Sequence, residues 1–157
     1  NWVEIDIGGG GVTIGSGSWG GPVSVSAGEL IRDCGGDLCR YPDFAALDSS
    51  TPSSQVPANF WGERIAGTDT EIYVAWHSTE ELDIHDAFNA CWMDDIELED
   101  WDGWVHGMSV VGDRIFLRGN DDRIAGFDRY TGTLLVDHTV TMDEYPWGAT
   151  GLWCEER

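Results

Sequence analysis

The feature that most constrains this chain is a repeat of 42 or 43 residues marked by tryptophan. Trp61, Trp104 and Trp147 lie 43 residues apart, and Trp19 lies 42 residues before Trp61. Two other series keep the same period, one of apolar residues that open a β-rich run and one of acidic or amide residues. They are Leu30, Ile72 and Ile115, and Asn1, Asp43, Asp86 and Asp128. Because three independent markers share one period, we interpret the chain as copies of one supersecondary unit.

The clearest copy of this unit predicts four short strands. Its runs are rich in β-branched and aromatic residues, and Gly, Asn and Asp separate them, which is typical of an antiparallel meander. The runs are 108–111, 114–118, 123–128 and 133–140. Four strands in a unit of this length are typical of a β-propeller blade. The predicted fold is therefore all-β, with about three four-stranded antiparallel blades plus flanking strands in an incomplete ring.

The period also predicts where each unit begins and ends. We expect blades at 19–60, 61–103 and 104–146, with 1–18 as an outer strand of a preceding blade and 147–157 as an inner strand of a following blade. A propeller ring needs at least four blades, because an open ring leaves sheet faces unsealed. We expect further blades of a longer chain to complete the ring; additional copies or another protein are the alternatives.

The segment GMSVVGDRIFLRGNDDRIAGFDRYTGTLL, from Gly107 to Leu135, resembles a blade of the NHL-repeat family. The last part of this segment, FDRYTGTLL, resembles quinoprotein (PQQ)-like repeats, whose blades end in a D-x-x-T-G turn. A weaker resemblance to tectonin-type propeller lectins covers the N-terminal third, through Trp2, Ile5, Val12, Gly15, Trp19, Gly20 and Gly28. These motifs imply a propeller fold and do not by themselves imply an activity.

Charge restricts the classes of partner. The chain has 29 acidic residues against 8 basic ones, all arginine, for a net charge of -21. Such a field repels phosphates, so we expect no nucleic acid and no anionic membrane as a partner. The sequence contains no run of 18 apolar residues, so no membrane span is expected. Protein partners, or further blades, are expected, and a glycan is the alternative ligand.

The recurrent tryptophans are the main candidates for a binding site. Each precedes an inner strand, so the copies would line one end of the ring, where they would either stack on sugar rings or pack blade against blade. The predicted ligand-binding residues are Trp19, Trp61, Trp104, Trp147, Glu63, Arg64, His106, Arg118 and Asp121. No catalytic set is predicted, because there is no G-x-S-x-G motif and the four histidines fall at unrelated phases of the repeat.

Acidic residues and cysteines suggest two further kinds of site. Asp94, Asp95 and Glu97 are weak calcium candidates, although their spacing fits no EF-hand and a solvated outer strand explains them as well. No other cofactor is expected. Cys34 and Cys39 flank a glycine-rich loop that a disulfide could close, and Cys91 with Cys154 is the remaining candidate pair. The even number of cysteines favours an oxidising compartment, so an extracellular, periplasmic or cell-surface location is expected.

Three functions remain open on the sequence alone. The first is a non-catalytic binding or assembly module of a cell-envelope or extracellular protein, which holds protein partners on its propeller faces. The second is a carbohydrate-binding propeller lectin. The third is a fragment of a larger propeller enzyme, of quinoprotein or lyase type.

Overall fold

The computed structural model describes residues 2–5, 12–15, 23–59, 64–76, 80–119 and 123–139, the first two ranges by their backbone alone. All but one of the described elements are strands. They are β1 (Trp2–Ile5), β2 (Val12–Gly15), β3 (Val23–Ser26), β4 (Glu29–Asp33), β5 (Asp37–Tyr41), α1 (Phe44–Asp48), β6 (Ser54–Pro57), β7 (Arg64–Gly67), β8 (Glu71–Ala75), β9 (Glu81–Asp86), β10 (Trp92–Glu97), β11 (Gly107–Val111), β12 (Arg114–Arg118), β13 (Arg123–Asp128) and β14 (Leu134–Thr139).

Three four-stranded antiparallel sheets dominate the structure. Blade 1 contains β3 to β6, blade 2 contains β7 to β10 and blade 3 contains β11 to β14, and within each sheet the spatial order follows the chain. Each sheet is thus an up-and-down meander, as short polar turns between β-rich runs predict. The all-β fold with propeller blades is confirmed, and the three sheets fall inside the three predicted blade ranges.

The register of the sheets gives the sequence period its structural meaning. Leu30, Ile72 and Ile115 pair with Tyr41, His85 and Phe127, respectively, across the second and third strands of their blades. The apolar markers found at one phase of the repeat therefore occupy one position of the blade. The tryptophan period and the strand pairing describe the same unit.

Neighbouring blades pack face to face, with their first strands side by side. Consecutive residues of a second strand point to opposite faces, so Ile72 packs towards blade 1 and Tyr73 towards blade 3. The Ser26 hydroxyl donates to the Thr68 carbonyl at 2.7 Å, and the Gly67 amide donates to the Ser24 hydroxyl at 3.3 Å, which joins β3 to β7. The apolar core therefore lies between blades, as the radial packing of a propeller requires.

One segment differs from the sequence-based expectation. The first 18 residues are not one outer strand, because Trp2–Ile5 and Val12–Gly15 form an antiparallel pair. In blade 1, β6 pairs with β5 as the fourth strand. Between them lies α1, a single turn whose N-cap Asp43 accepts a hydrogen bond from the Ala46 amide at 2.8 Å. The predicted strand 147–157 lies outside the described residues.

Candidate binding site at the loop end of the blades

Strand topology determines which predicted site residues can meet. In an up-and-down blade the connection into the first strand and the loop between the second and third strands lie at the same end. We call this the loop end, defined here by Arg64, Trp104, His106 and Arg118. The opposite end, which carries the turns between first and second and between third and fourth strands, is the turn end.

Hydrogen bonds to backbone carbonyls bring three of these residues together. The His106 amide donates to the Arg118 carbonyl at 2.8 Å, which extends the pairing of β11 with β12 by one residue. Arg64, at the start of β7, donates from Nε to the His106 carbonyl at 3.1 Å. Because that last bond joins blade 2 to blade 3, the predicted cluster forms part of the junction between two blades.

At the junction of blades 2 and 3 the buried tryptophan is Trp101, whereas the repeat tryptophan Trp104 is exposed. Trp104 is 49% exposed, whereas Trp101, three residues earlier, is 2% exposed and meets Phe127 edge to face at 5.9 Å between ring centroids. The packing alternative for the repeated tryptophan is therefore fulfilled at this junction by Trp101. Nothing in the spacing identifies Trp101, because its burial depends on the path of the connection between β10 and β11.

Arg123 covers Trp101 and anchors the connection that carries it. Its guanidinium carbon lies 4.9 Å from the centroid of the Trp101 ring, a cation–π contact. Nε and Nη2 each lie 3.0 Å from a carboxylate oxygen of Asp137, and Nη2 also donates to the Asp100 carbonyl at 3.1 Å. The hydrogen bonds to Asp137 raise the pKa of the Arg123 guanidinium above its ordinary value. Arg123 therefore links Asp137 on the outer strand β14 to Asp100 in the connection that carries Trp101.

The loop end offers an aromatic face beside cationic and imidazole groups. Arg118 is buried, Arg64 and His106 are half-buried, and Trp104 is exposed. An arrangement of this kind suits binding of a polar or ring-shaped ligand by stacking and hydrogen bonding. The predicted partners Trp19, Trp61, Glu63, Asp121 and Trp147 lie outside the described residues.

The calcium candidates lie along an edge strand and do not form a cluster. Asp94, Asp95 and Glu97 are exposed residues of β10, and the Asp95 amide donates to the Asp94 carboxylate at 3.0 Å. Successive strand residues point to opposite faces, so neighbouring carboxylates diverge. In the part of the chain that the structure describes, no group of three or more His, Cys, Asp or Glu residues is placed to hold a metal ion.

One of the two predicted cysteine pairs is present as a disulfide. It joins Cys34 and Cys39, with Cα atoms 5.9 Å apart, at the loop between β4 and β5. Cys91 is an exposed free thiol immediately before β10, and its suggested pairing with Cys154 stays a prediction. Cys154 lies outside the described residues. His85 is buried, with Nδ1 3.0 Å from the Ala90 carbonyl.

Comparisons with known proteins give a fold without a close relative. No protein-family model and no curated protein sequence matches the chain. Among solved structures, the chain is similar to Myxococcus xanthus glutaminyl cyclase, with a TM-score of 0.59 and 11% identity over 77% of this chain and 50% of that one. It is also similar to hydrazine synthase of Kuenenia stuttgartiensis, with a TM-score of 0.51 and 15% identity over 93% and 41%. For BamB from Moraxella catarrhalis the values are 0.50 and 16%, over 78% and 36%.

These similar structures are β-propellers, and so is this chain. More particularly, its described part contains three blades of an incomplete ring besides the paired strands β1 and β2, consistent with PQQ-like and NHL-like repeats. The chain spans half the length of the glutaminyl cyclase chain and about a third of BamB. Among the described residues, no helix is long and apolar enough to cross a membrane.

Proposed function

We propose that the chain is a non-catalytic binding or assembly module of a cell-envelope or extracellular protein, and that it holds protein partners on its propeller faces. The observation that carries this proposal is the construction of the loop end. There, Arg64 and His106 are tied into the hydrogen bonds between blades, while Trp104 remains half exposed. A surface held by the scaffold with an exposed aromatic residue suits partner binding, since aromatic side chains contribute disproportionately to protein interfaces.

The disulfide supports the location in this proposal. Cys34–Cys39 closes a loop of few residues in blade 1, and such bonds persist mainly in oxidising compartments. Further blades that complete the ring are expected in the same protein, in keeping with the share of the similar structures that the chain covers.

Partner capture in the presence of a site variant tests the proposal. Native mass spectrometry and cross-linking in the secreted and envelope fractions should detect a complex with the wild-type chain. Trp104→Ala should weaken that complex, whereas Tyr130→Ala should not, because Tyr130 is also exposed (60%) but lies at the turn end. A chain that stays monomeric without any partner contradicts the proposal.

A carbohydrate-binding function is the second candidate, and one observation favours it. Trp104 exposes half of its surface two residues before His106, whose carbonyl accepts a hydrogen bond from Arg64; a ring face with polar donors is the combination that sugar recognition uses. A glycan array read with tryptophan fluorescence tests this alternative. It requires hits that weaken in Trp104→Ala and persist in Tyr130→Ala.

The similar structures do not decide between a binding module and part of an enzyme. Two of them are named as a glutaminyl cyclase and a hydrazine synthase, but identities of 11% and 15% establish a shared fold only. An enzymatic function would require catalytic side chains from blades beyond those described here, which the sequence flanking this chain would reveal.

A further inference from the structure

Blade 2 exposes three large apolar side chains where β9 turns into β10. Phe88 in the turn is 63% exposed, and Trp92 and Met93 at the start of β10 are 59% and 51% exposed. We call these three residues the β10 corner. Large apolar side chains exposed close together along one hairpin are typical of interaction surfaces. The corner lies at the turn end, away from Trp104 and the loop end.

A β-bulge causes the double exposure of Trp92 and Met93. Trp92 pairs with His85 and Asp94 pairs with Ile84, so Met93 is an extra residue on the outer strand. A bulge breaks the alternation of a strand and redirects its side chains. Blade 3 has the same irregularity at Leu135, which is 47% exposed. Blades 2 and 3 thus share the bulge, whereas β5 and β6 of blade 1 pair in a continuous register.

Trp92 departs from the repeat in a way that the blade itself does not explain. Its equivalent in blade 3 is Leu134, which pairs with Phe127 and packs against the core between blades 2 and 3. The backbone of Trp92 pairs with His85, but within the described ranges its side chain makes no hydrogen bond and no ring contact. A tryptophan in solvent at a position where the next blade packs a leucine favours a partner from outside the blade.

Charge indicates what kind of partner fits. β10 is the outer edge of its sheet. Its Glu97 end lies against the turn between β13 and β14 of blade 3, where the Glu99 amide donates to the Gly132 carbonyl, so within the described ranges the open part of the edge is Trp92–Asp95. Its exposed carboxylates Asp94, Asp95 and Glu97 form no ion pair within the described ranges, whereas Asp137 on the equivalent strand of blade 3 is neutralised by Arg123. A second copy of this chain, with a net charge of -21, would be repelled. A basic segment would be attracted.

We propose that the β10 edge of blade 2 docks an extended, arginine-bearing segment of a partner protein. The segment pairs with the Trp92–Asp95 part of β10 as a fifth strand, lays an apolar side chain on Met93 and stacks a guanidinium on Trp92. The chain already uses this contact internally, with Arg40 over Phe88 at 5.9 Å and Arg129 over Tyr130 at 4.6 Å. The inference rests on the proposed function, a module that holds protein partners, and adds a second surface and the chemistry of its ligand.

Titration of a defined probe into the full chain tests the inference. The probe is a capped peptide of about ten residues with alternating Arg and Leu, long enough to cover one strand. Binding is followed by tryptophan fluorescence and calorimetry. We expect the Arg–Leu peptide to bind and a Glu–Leu peptide to fail. Trp92→Ser should weaken binding by roughly tenfold or more, and Asp94→Asn with Asp95→Asn should weaken it further at low salt. Trp76→Ser is the matched control, because Trp76 is 47% exposed at the loop end.

Three results would overturn the inference. They are equal affinity in Trp92→Ser and wild type, equal affinity for the Arg–Leu and Glu–Leu peptides, and no Arg–Leu binding up to about 1 mM. The proposed function is judged separately, by native mass spectrometry of the complex. A partner that binds wild type and Trp92→Ser equally refutes the β10 docking surface and leaves the module function standing. A chain with no partner at all refutes the module function.

Discussion

Replacing Gly132 with alanine is expected to separate blade 3 from blade 2 at their outer edge. Gly132 lies in the turn between β13 and β14 with φ of +68°, a conformation that costs an L residue about 1–2 kcal/mol. An added Cβ would overlap the carbonyl oxygen of Glu97 and lie 2.8 Å from a methyl carbon of Ile96. Relieving that overlap moves the turn away from β10 and breaks the hydrogen bond from the Glu99 amide to the Gly132 carbonyl.

The expected cost follows from three contributions. Backbone strain contributes about 1–2 kcal/mol, overpacking about 1–3 kcal/mol and the lost hydrogen bond about 1 kcal/mol. The free energy of unfolding should fall by about 3–6 kcal/mol, a large share of the roughly 5–15 kcal/mol typical of a domain. Ala90 occupies the equivalent turn position of blade 2 with φ of +56°. The repeat therefore tolerates the strain alone, and the overlap with Glu97 makes Gly132 necessary.

Three glycines supply matched controls that separate strain from overlap. Gly28 has φ of +77° and open space around its Cβ position, so Gly28→Ala should cost only the strain. Gly67→Ala has no such strain but places Cβ 2.5 Å from the Cβ of Ser26 and should cost about 1–3 kcal/mol. Gly103→Ala meets nothing closer than the Trp101 ring at 3.8 Å and should be nearly neutral.

Urea unfolding followed by tryptophan fluorescence measures all four variants under one set of conditions. The expected order of destabilisation is Gly132→Ala, then Gly67→Ala and Gly28→Ala, then Gly103→Ala. A Gly132→Ala protein within about 1 kcal/mol of Gly28→Ala would refute the reasoning, because the overlap with Glu97 would then contribute nothing.

Three further predictions concern charge and the disulfide. The hydrogen bonds from the Tyr130 amide and from Thr131 hold the pKa of Asp128 below its ordinary 3.8, so its stabilisation is present above that pH and lost as pH falls through the lowered pKa. Urea midpoints between pH 6 and 3 should fall less steeply in Asp128→Asn than in wild type. Arg40 is buried and lies 3.6 Å from Glu29; Glu29→Gln leaves its charge buried and should destabilise by about 1–3 kcal/mol, whereas Arg40→Met should cost less in the same assay. Reducing Cys34–Cys39, which closes a short loop, should lower the free energy of unfolding by about 2 kcal/mol, and a chain equally stable before and after reduction would contradict this.

The sequence predicts a large part of the architecture. Ile72 and Ile115 fall at one phase of a 43-residue period and prove to be equivalent positions in neighbouring blades. The Cys34–Cys39 bridge was also predictable, because a glycine-rich loop brings two close cysteines within bonding reach. The paired strands β1 and β2 were not predicted, because one alternating run does not reveal how many strands it contributes.

The position of the candidate site along the chain was predictable, but the burial and exposure of its tryptophans were not. Arg64 and His106 were identified as neighbours of a tryptophan that precedes an inner strand, and the structure joins them through one hydrogen bond. Among the tryptophans whose side chains the structure describes, however, the buried one is Trp101, and the exposed apolar surface of blade 2 includes Trp92. Neither residue keeps the period of the other tryptophans, so a search for repeats passes over both.

The sequence by itself determines the unit of this protein, since hydrophobic alternation and turn residues are local and recur with every copy. Only the tertiary structure decides which side chains of each unit are buried and which are exposed. Whether Trp101 is buried depends on Phe127 and Arg123, which lie in another part of the chain. Whether Met93 faces solvent depends on a bulge that appears only when β10 pairs with β9. Local patterns specify strands, but the exposure of a side chain depends on how the strands pair and how the blades pack.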